Sequence, residues 1–243
     1  MSNDALFSIS LAVSSISAGV VASISGFGIG SLLTPLLSAK MPLSMAVALV
    51  SIPHFMATSL RCWLLREHIE WKTLKSFGTF SALGGLVGAF LLQQASNVAL
   101  VYLFGALLIY VGTGGLTGWT SKFVIGQKWS WLAGVASGLL GGLVGNQGGI
   151  RSAALAGMQV SKESFVATAT AIGVIVDIVR LPIYLYAVGG PLTGHGCEIA
   201  IATLGCLAGT ILGRDLLKRM PEKHFRTVLY VLLIGLGVFM VVK

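Results

Sequence analysis

Charge is what this chain has least of. Only 10% of its 243 residues are Asp, Glu, Lys or Arg, and just 8 residues are acidic. A soluble domain carries about 25% charged residues. That scarcity, with 55% hydrophobic residues and a mean hydropathy of +0.90, excludes a soluble globular fold and points to an integral membrane protein. Cysteine is nearly as rare. Cys62, Cys197 and Cys206 lie in or beside apolar stretches without metal-ligand spacing, so they read as buried free thiols, and no metal or cofactor is expected. Glycine runs are never followed by Lys-Ser/Thr, which excludes an ATP-binding loop. No nucleophile–base pairing is evident in the sequence, so the chain is not expected to be an enzyme. Residues Met1 to Asp4 lack a basic run, so the first apolar stretch is expected to stay in the mature protein.

The formal charge of +8 does not suggest nucleic acid, because the cations are scattered through short loops between apolar segments. What the chain has in abundance is glycine, 32 residues of it, which suits close helix packing in lipid. Two glycine clusters sit inside long apolar runs: Gly26-Phe27-Gly28-Ile29-Gly30, and 119 positions later Gly145-Asn146-Gln147-Gly148-Gly149. Glycines and amides at such depth argue against an unbroken helix. Irregular backbone within a membrane is tolerated only where protein or a water-filled cavity satisfies it. Two such breaks, one per half, are the pattern of a transporter with internal repeats.

The expected fold is all-α: two inverted repeats, each a broken helical hairpin plus three transmembrane helices, in one membrane domain. The first repeat, residues 1–121, comprises a hairpin at 5–39 and spans at 43–65, 77–92 and 98–119. The second, residues 122–243, comprises a hairpin at 129–160 and spans at 164–188, 198–217 and 227–242. Gly189-Gly190-Pro191 is read as the turn between two of these spans. Superimposing the breaks aligns Gly26 with Gly145, Gly30 with Gly149 and Arg61 with Arg180. A shift of two then aligns Gly84 and Gly88 with Gly205 and Gly209.

Charge counting orients the halves. If each broken segment enters and leaves on one side, one face collects Arg66, Lys72, Lys75, Lys122, Lys128, Lys162, Arg214, Lys218, Arg219, Lys223 and Arg226, and the other only Lys40 and Lys243. If each crosses once, the bias vanishes. The positive-inside rule therefore favours hairpins, with both termini outside the cytoplasm.

A half-helix beginning within the membrane offers free N–H groups and a positive dipole end. Gly28, Gly30, Gly148 and Gly149 are therefore candidate anion donors, Asn146 and Gln147 candidate orienting amides, and Ser31 and Thr34 candidate hydroxyl ligands. Gly84, Gly88, Gly205 and Gly209 are assigned to helix packing instead. Arg151, just past the second break, is placed to pair with an anion. Arg61 and Arg180 either line the site or snorkel to an interface. Asp177, three residues before Arg180, is expected to pair with it. His54 and Asp177 are candidates for proton coupling, although a neutral, hydrogen-bonded histidine is the simpler expectation for His54. The partners expected are a small anionic substrate and membrane lipid. Because glycine stripes join helices within a chain or between copies, a homodimer is a further candidate.

With Ser25-Gly26-Phe27-Gly28-Ile29-Gly30 and Thr34-Pro35 in one half, Gly145-Asn146-Gln147-Gly148-Gly149 in the other, and Arg61 and Arg180, the chain resembles the sulfite exporter TauE/SafE family from about Ala12 to Val242. The resemblance implies a permease of the bacterial inner membrane that moves sulfite, sulfonates or related small sulfur-containing anions, usually outward. The second half departs from the pattern: Ile150-Arg151 follow Gly149 and no proline matches Pro35. The added cation bears on which anion is accepted. The alternative reading is a non-transporting subunit or assembly factor whose glycines serve packing alone.

Overall fold

A computed structural model describes residues 3–118, 129–145, 148, 151, 155, 161–219 and 222–242. The described residues form nine helices and no strand. They are α1 (Asn3–Ser25), α2 (Ile29–Ser38), α3 (Leu43–Leu64), α4 (Trp71–Gln94), α5 (Asn97–Thr117), α6 (Ser130–Val144), α7 (Lys162–Leu192), α8 (Gly196–Arg219) and α9 (Glu222–Val242). Six of them contain apolar stretches long enough to cross a membrane. The polarity is that of a membrane bundle: Leu83, Phe90, Leu204, Ile211, Val231 and Val238 face outward, while Arg61, Arg151, Asp177 and Arg180 are buried.

Three helix pairs dominate, and glycine builds each of them. Gly205, Gly209 and Gly213 of α8 meet, in turn, Ala12 to Ile16, Ile16 to Val20, and Val20 to Ser23 of α1, so these two helices run parallel. Gly84 and Gly88 of α4 lie against Val135, Leu139 and Leu143 of α6, also parallel. Gly105 and Gly112 of α5 meet Gly237 to Val241 and Tyr230 to Ile234 of α9, antiparallel. At each crossing a Cβ would strike backbone of the partner, so only glycine lets the axes come this close. The packing role assigned to Gly84, Gly88, Gly205 and Gly209 is thus what the helices show. A contrast follows. Gly84→Val drives a side chain into the Val135 carbonyl and lowers the melting temperature in detergent, at a cost of about 1–3 kcal/mol or more. Gly190→Ala, in the same kind of helix but with nothing within contact distance, leaves it unchanged or slightly raised.

The pairing has a pattern. The first helix of each half (α1, α6) packs on the second full span after the break of the other half (α8, α4), and the corresponding helices α3 and α7 face each other. α3 and α7 are antiparallel: His54 meets Asp177, Arg61 meets Thr170, and beyond α3 the Glu70 amide meets Thr168. α7 runs parallel to α4, because Gly78 lies by Ile172 and Ile175, and Gly85 by Val176. The Lys40 ammonium sits 4.1 Å over the Phe7 ring, so the end of α2 returns to the beginning of α1. α1 therefore starts at the end of the bundle where α3 starts, opposite to the end from which α6 enters.

Several boundaries differ from those read in the sequence. α4 begins at Trp71 rather than 77, through a π-helical turn at Leu74–Gly78. Lys72 and Lys75 point outward there while Thr73, Leu74 and Phe77 are buried, so the charged residues occupy the exposed face of a helix and not a loop. Gly189-Gly190-Pro191 is not the turn. α7 continues through it for 31 residues, and the chain reverses at the 3-10 turn Thr193–His195. At 1.5 Å per residue α7 is about 46 Å long, well beyond an apolar core of about 30 Å. Its last turns thus lie where water can serve any carbonyl that Pro191 leaves unbonded. The thiols correct another expectation: only Cys206 is buried, Cys62 is intermediate and Cys197 is exposed.

Candidate arginine-lined anion site

The first break is a helix end built by glycine. The Gly26 amide still bonds to the Ala22 carbonyl (2.9 Å), but Gly26 has φ +80°, Gly28 has φ +134°, and α2 restarts at Ile29 without a side-chain cap. The second break opens the same way. The Gly145 amide bonds to the Gly141 carbonyl (3.1 Å) and Gly145 has φ +73°. A residue with a Cβ is strained in this left-handed region. The two positions that the alignment equates thus end their helices by the same device.

The breaks touch. The Cα of Gly30 lies against the Gly145 carbonyl, and that of Gly148 against the Phe27 ring. Arg151 Nη2 donates to the Gly26 carbonyl at 3.1 Å. Asn146, Gln147 and Gly149 lie outside the described residues. The bare faces of Gly30 and Gly148 are thus filled by the opposing break, and Gly28 faces Val21 of its own hairpin.

Around this contact lie two polar stripes. On α3, Ser51, His54, Thr58 and Arg61 recur at helical spacing and are all buried. On α7 the stripe is Thr170, Gly173, Asp177, Arg180 and Tyr184. Antiparallel packing joins them. Arg61 Nε donates to Thr170 Oγ1 at 2.9 Å, and His54 Nδ1 lies 2.6 Å from Asp177 Oδ2. The other oxygen, Asp177 Oδ1, accepts from Arg180 Nε at 2.8 Å and lies 2.7 Å from Nη2 in an ion pair. Arg180 Nη1 and the Tyr184 hydroxyl donate to the Gly141 and Gly142 carbonyls. They satisfy the carbonyl end of α6, where a cation is favoured by the helix dipole. Arg61 and Arg180 therefore point inward and do not snorkel, and Asp177 pairs with Arg180 as expected.

The charges do not balance. Arg61, Arg151 and Arg180 are 3%, 2% and 2% exposed, and among the described residues they share one buried carboxylate, Asp177, at 0%. Three positive charges against one negative leave +2 among the described core residues. The donors are also in excess: Arg61 Nη1, Arg151 Nε and Nη1, and the hydroxyls of Thr34 and Thr58 have no hydrogen-bond partner among the described residues. A buried ion without a partner costs several kcal/mol, and buried donors are nearly always bonded. One of these free groups, Arg151 Nη1, faces the bare Cα of Gly173. A methyl group placed on Gly173 would touch Arg151 Nη1, Thr58 and His54, so these side chains surround its bare Cα. Chemically, the arrangement is short of one oxyanion.

Among the residues expected at the site, Arg61, Arg151, Arg180, His54 and Asp177 form this cluster, Thr34 contributes an unbonded hydroxyl, and Ser31 is buried beside it on α2. Sequence reading missed Thr58, Thr170, Gly173 and Tyr184. The signal was present: polar residues at three- and four-residue intervals on two otherwise apolar helices.

No curated protein and no solved structure matches this chain. A family model does: sulfite exporter TauE/SafE matches residues 11–240, nearly the whole length. The six apolar spans and the fully helical core agree with a multi-pass membrane protein. The chain belongs to the sulfite exporter TauE/SafE family of membrane permeases.

Proposed function

We propose that this protein is a secondary permease for small sulfur-containing anions such as sulfite or organosulfonates, working outward by alternating access between two inverted repeats. The observation that carries the reading is the unbalanced charge: three buried arginines, one carboxylate, and guanidinium and hydroxyl donors left unbonded. A sulfonate or sulfite group presents three acceptor oxygens on one charged centre. It suits the unbonded donors of Arg61, Arg151, Thr58 and Thr34, where charge-assisted bonds are strongest. The opposite entry of α1 and α6, the matching glycine ends and the exchanged pairing support two related halves closing on one central site. Gly28, Gly30 and Gly148 then serve mainly to bring the halves together, and Asn146 and Gln147 remain proposed orienting amides.

In this reading the protein sits in a bacterial inner membrane with both termini outside the cytoplasm, and its exposed apolar belt faces lipid. Net outward movement of an anion is favoured by an inside-negative potential, about 2.3 kcal/mol per charge for each 100 mV.

Purified protein, screened for thermal stability against sulfite, sulfate, thiosulfate, sulfoacetate and carboxylates, tests the substrate class. A sulfur oxyanion that binds the folded state raises stability by about 2.7 kcal/mol at one hundred times its Kd. It also moves across proteoliposomes when the protein is present. A shift with carboxylates alone, or none with any anion, removes the reading.

A further inference from the structure

We propose that His54 is a proton-binding site of this permease and that its proton binds together with the anion. The inference rests on the anion reading above and adds the coupling ion to it.

The hydrogen bonds assign the roles. Asp177 Oδ1 accepts a hydrogen bond from Arg180 Nε and lies in ion-pair contact with Nη2. That ion pair keeps Asp177 ionised, so the carboxylate acts as an acceptor. Its other oxygen lies 2.6 Å from His54 Nδ1, which therefore carries the hydrogen and donates it. With Nδ1 fixed, Nε2 of a neutral ring is a lone pair. The carbon between the two nitrogens, Cε1, borders the bare Cα of Gly173, where Arg151 Nη1 and Thr58 also converge. The ring edge that carries Nε2 thus lies beside the unbonded Arg151 Nη1. His54 is also the most open of the five ionisable residues in the cluster, 8% exposed against 3% or less for the others.

The surrounding charges set the sign. Arg61 lies on the same helix as His54, Asp177 and Arg180 on α7, and Arg151 beyond the second break; α2 and α5 contribute no charged side chain, and Cys206 on α8 neighbours Arg61. Without an anion the cluster already holds +2, which opposes a further positive charge on Nε2. A bound anion removes that opposition. By linkage the effect is reciprocal, so a proton on His54 tightens the anion by the same factor. Proton and anion therefore occupy the site together.

Methanesulfonate is the probe, because its own charge does not change over the range tested. Its affinity for detergent-purified protein falls as pH rises from about 5.5 to 8.5, by at most about tenfold per pH unit for one coupled proton. Binding also takes up protons from a weakly buffered solution. His54→Gln, which can still donate to Asp177 but does not titrate, binds with a flat pH profile and no proton uptake. A pH-independent Kd with no proton uptake in the wild-type protein overturns the proposal, as does a pH slope that survives in His54→Gln. If the variant does not fold, the wild-type uptake measurement decides alone. Failure of methanesulfonate and sulfite to bind at any pH removes the anion reading itself, a result distinct from binding without proton uptake.

Discussion

Arg151→Met weakens sulfur-anion binding sharply, by about tenfold to a hundredfold or more, while leaving the anion-free protein as stable as wild type, or more so. Both halves of this expectation come from the same imbalance. Arg151 is 2% exposed and, among the described residues, has no carboxylate partner and makes one hydrogen bond, from Nη2 to the Gly26 carbonyl. Its Nε and Nη1 have no hydrogen-bond partner among the described residues. Removing a partner from a balanced buried ion pair strands a charge, whereas replacing a buried ion that lacks a partner relieves desolvation. Substituting buried ionic groups with apolar residues of similar volume is often neutral or stabilising by about 1–4 kcal/mol. The anion loses a charge-assisted contact of about 1.5–3 kcal/mol, and the expected loss of affinity is about tenfold to a hundredfold or more. Thermal stability measured with and without sulfite separates the two effects: the melting temperature without ligand stays level or rises, and the shift on adding ligand shrinks. A variant that unfolds without ligand would show Arg151 to be structural, and one that keeps the ligand shift would remove it from the site.

How far the sequence alone reaches can be judged from particular residues. The first break was legible because Gly26 and Gly28 occupy backbone conformations that side chains resist, and glycine marks such positions in the sequence. The close pairs were legible for a related reason: four-residue glycine spacing on α4 and α8 has no use except to admit another backbone. Gly189-Gly190-Pro191 misled because the same residue types that end a helix in the interior are tolerated in its last turns, past the apolar layer. The arginines were visible as anomalies, but their direction was not. Whether Arg61 points to an interface or to Thr170 depends on which helix lies opposite, and α7 is more than a hundred positions away in the chain. The charge imbalance was hidden for that reason as well. It exists only once α3, α7 and the second break share one volume, so that Asp177 is spent on Arg180 and His54 and nothing negative remains for Arg61 and Arg151. Thr58 and Thr170 escaped because a single threonine in a membrane helix commonly bonds its own backbone. Only the recurrence at helical spacing on two facing helices marks them.

Asp177→Asn has the opposite character to Arg151→Met: it destabilises the protein strongly, and anion binding restores much of the loss. Asp177 is the one buried carboxylate of the cluster, with Arg180 on one oxygen and His54 on the other. Asparagine keeps the shape but removes the charge, which leaves +3 in the core with no counterion. Breaking a buried pair from one side costs about 3–5 kcal/mol. Arg180 keeps its bond to the Gly141 carbonyl, so the helix contact persists and the cost is chiefly electrostatic. That distinction is testable. If electrostatics dominate, Asp177→Asn with Arg180→Gln returns the core to +2 and recovers part of the stability lost by the single variant, a coupling that a double-mutant cycle of melting temperatures reads directly. A saturating sulfur oxyanion then also raises the melting temperature of Asp177→Asn by more than that of wild type, because it neutralises a larger excess. Equal ligand shifts in the two proteins, with no recovery in the double variant, would mean that Asp177 holds its neighbours by geometry alone and that the excess positive charge is not what the anion meets.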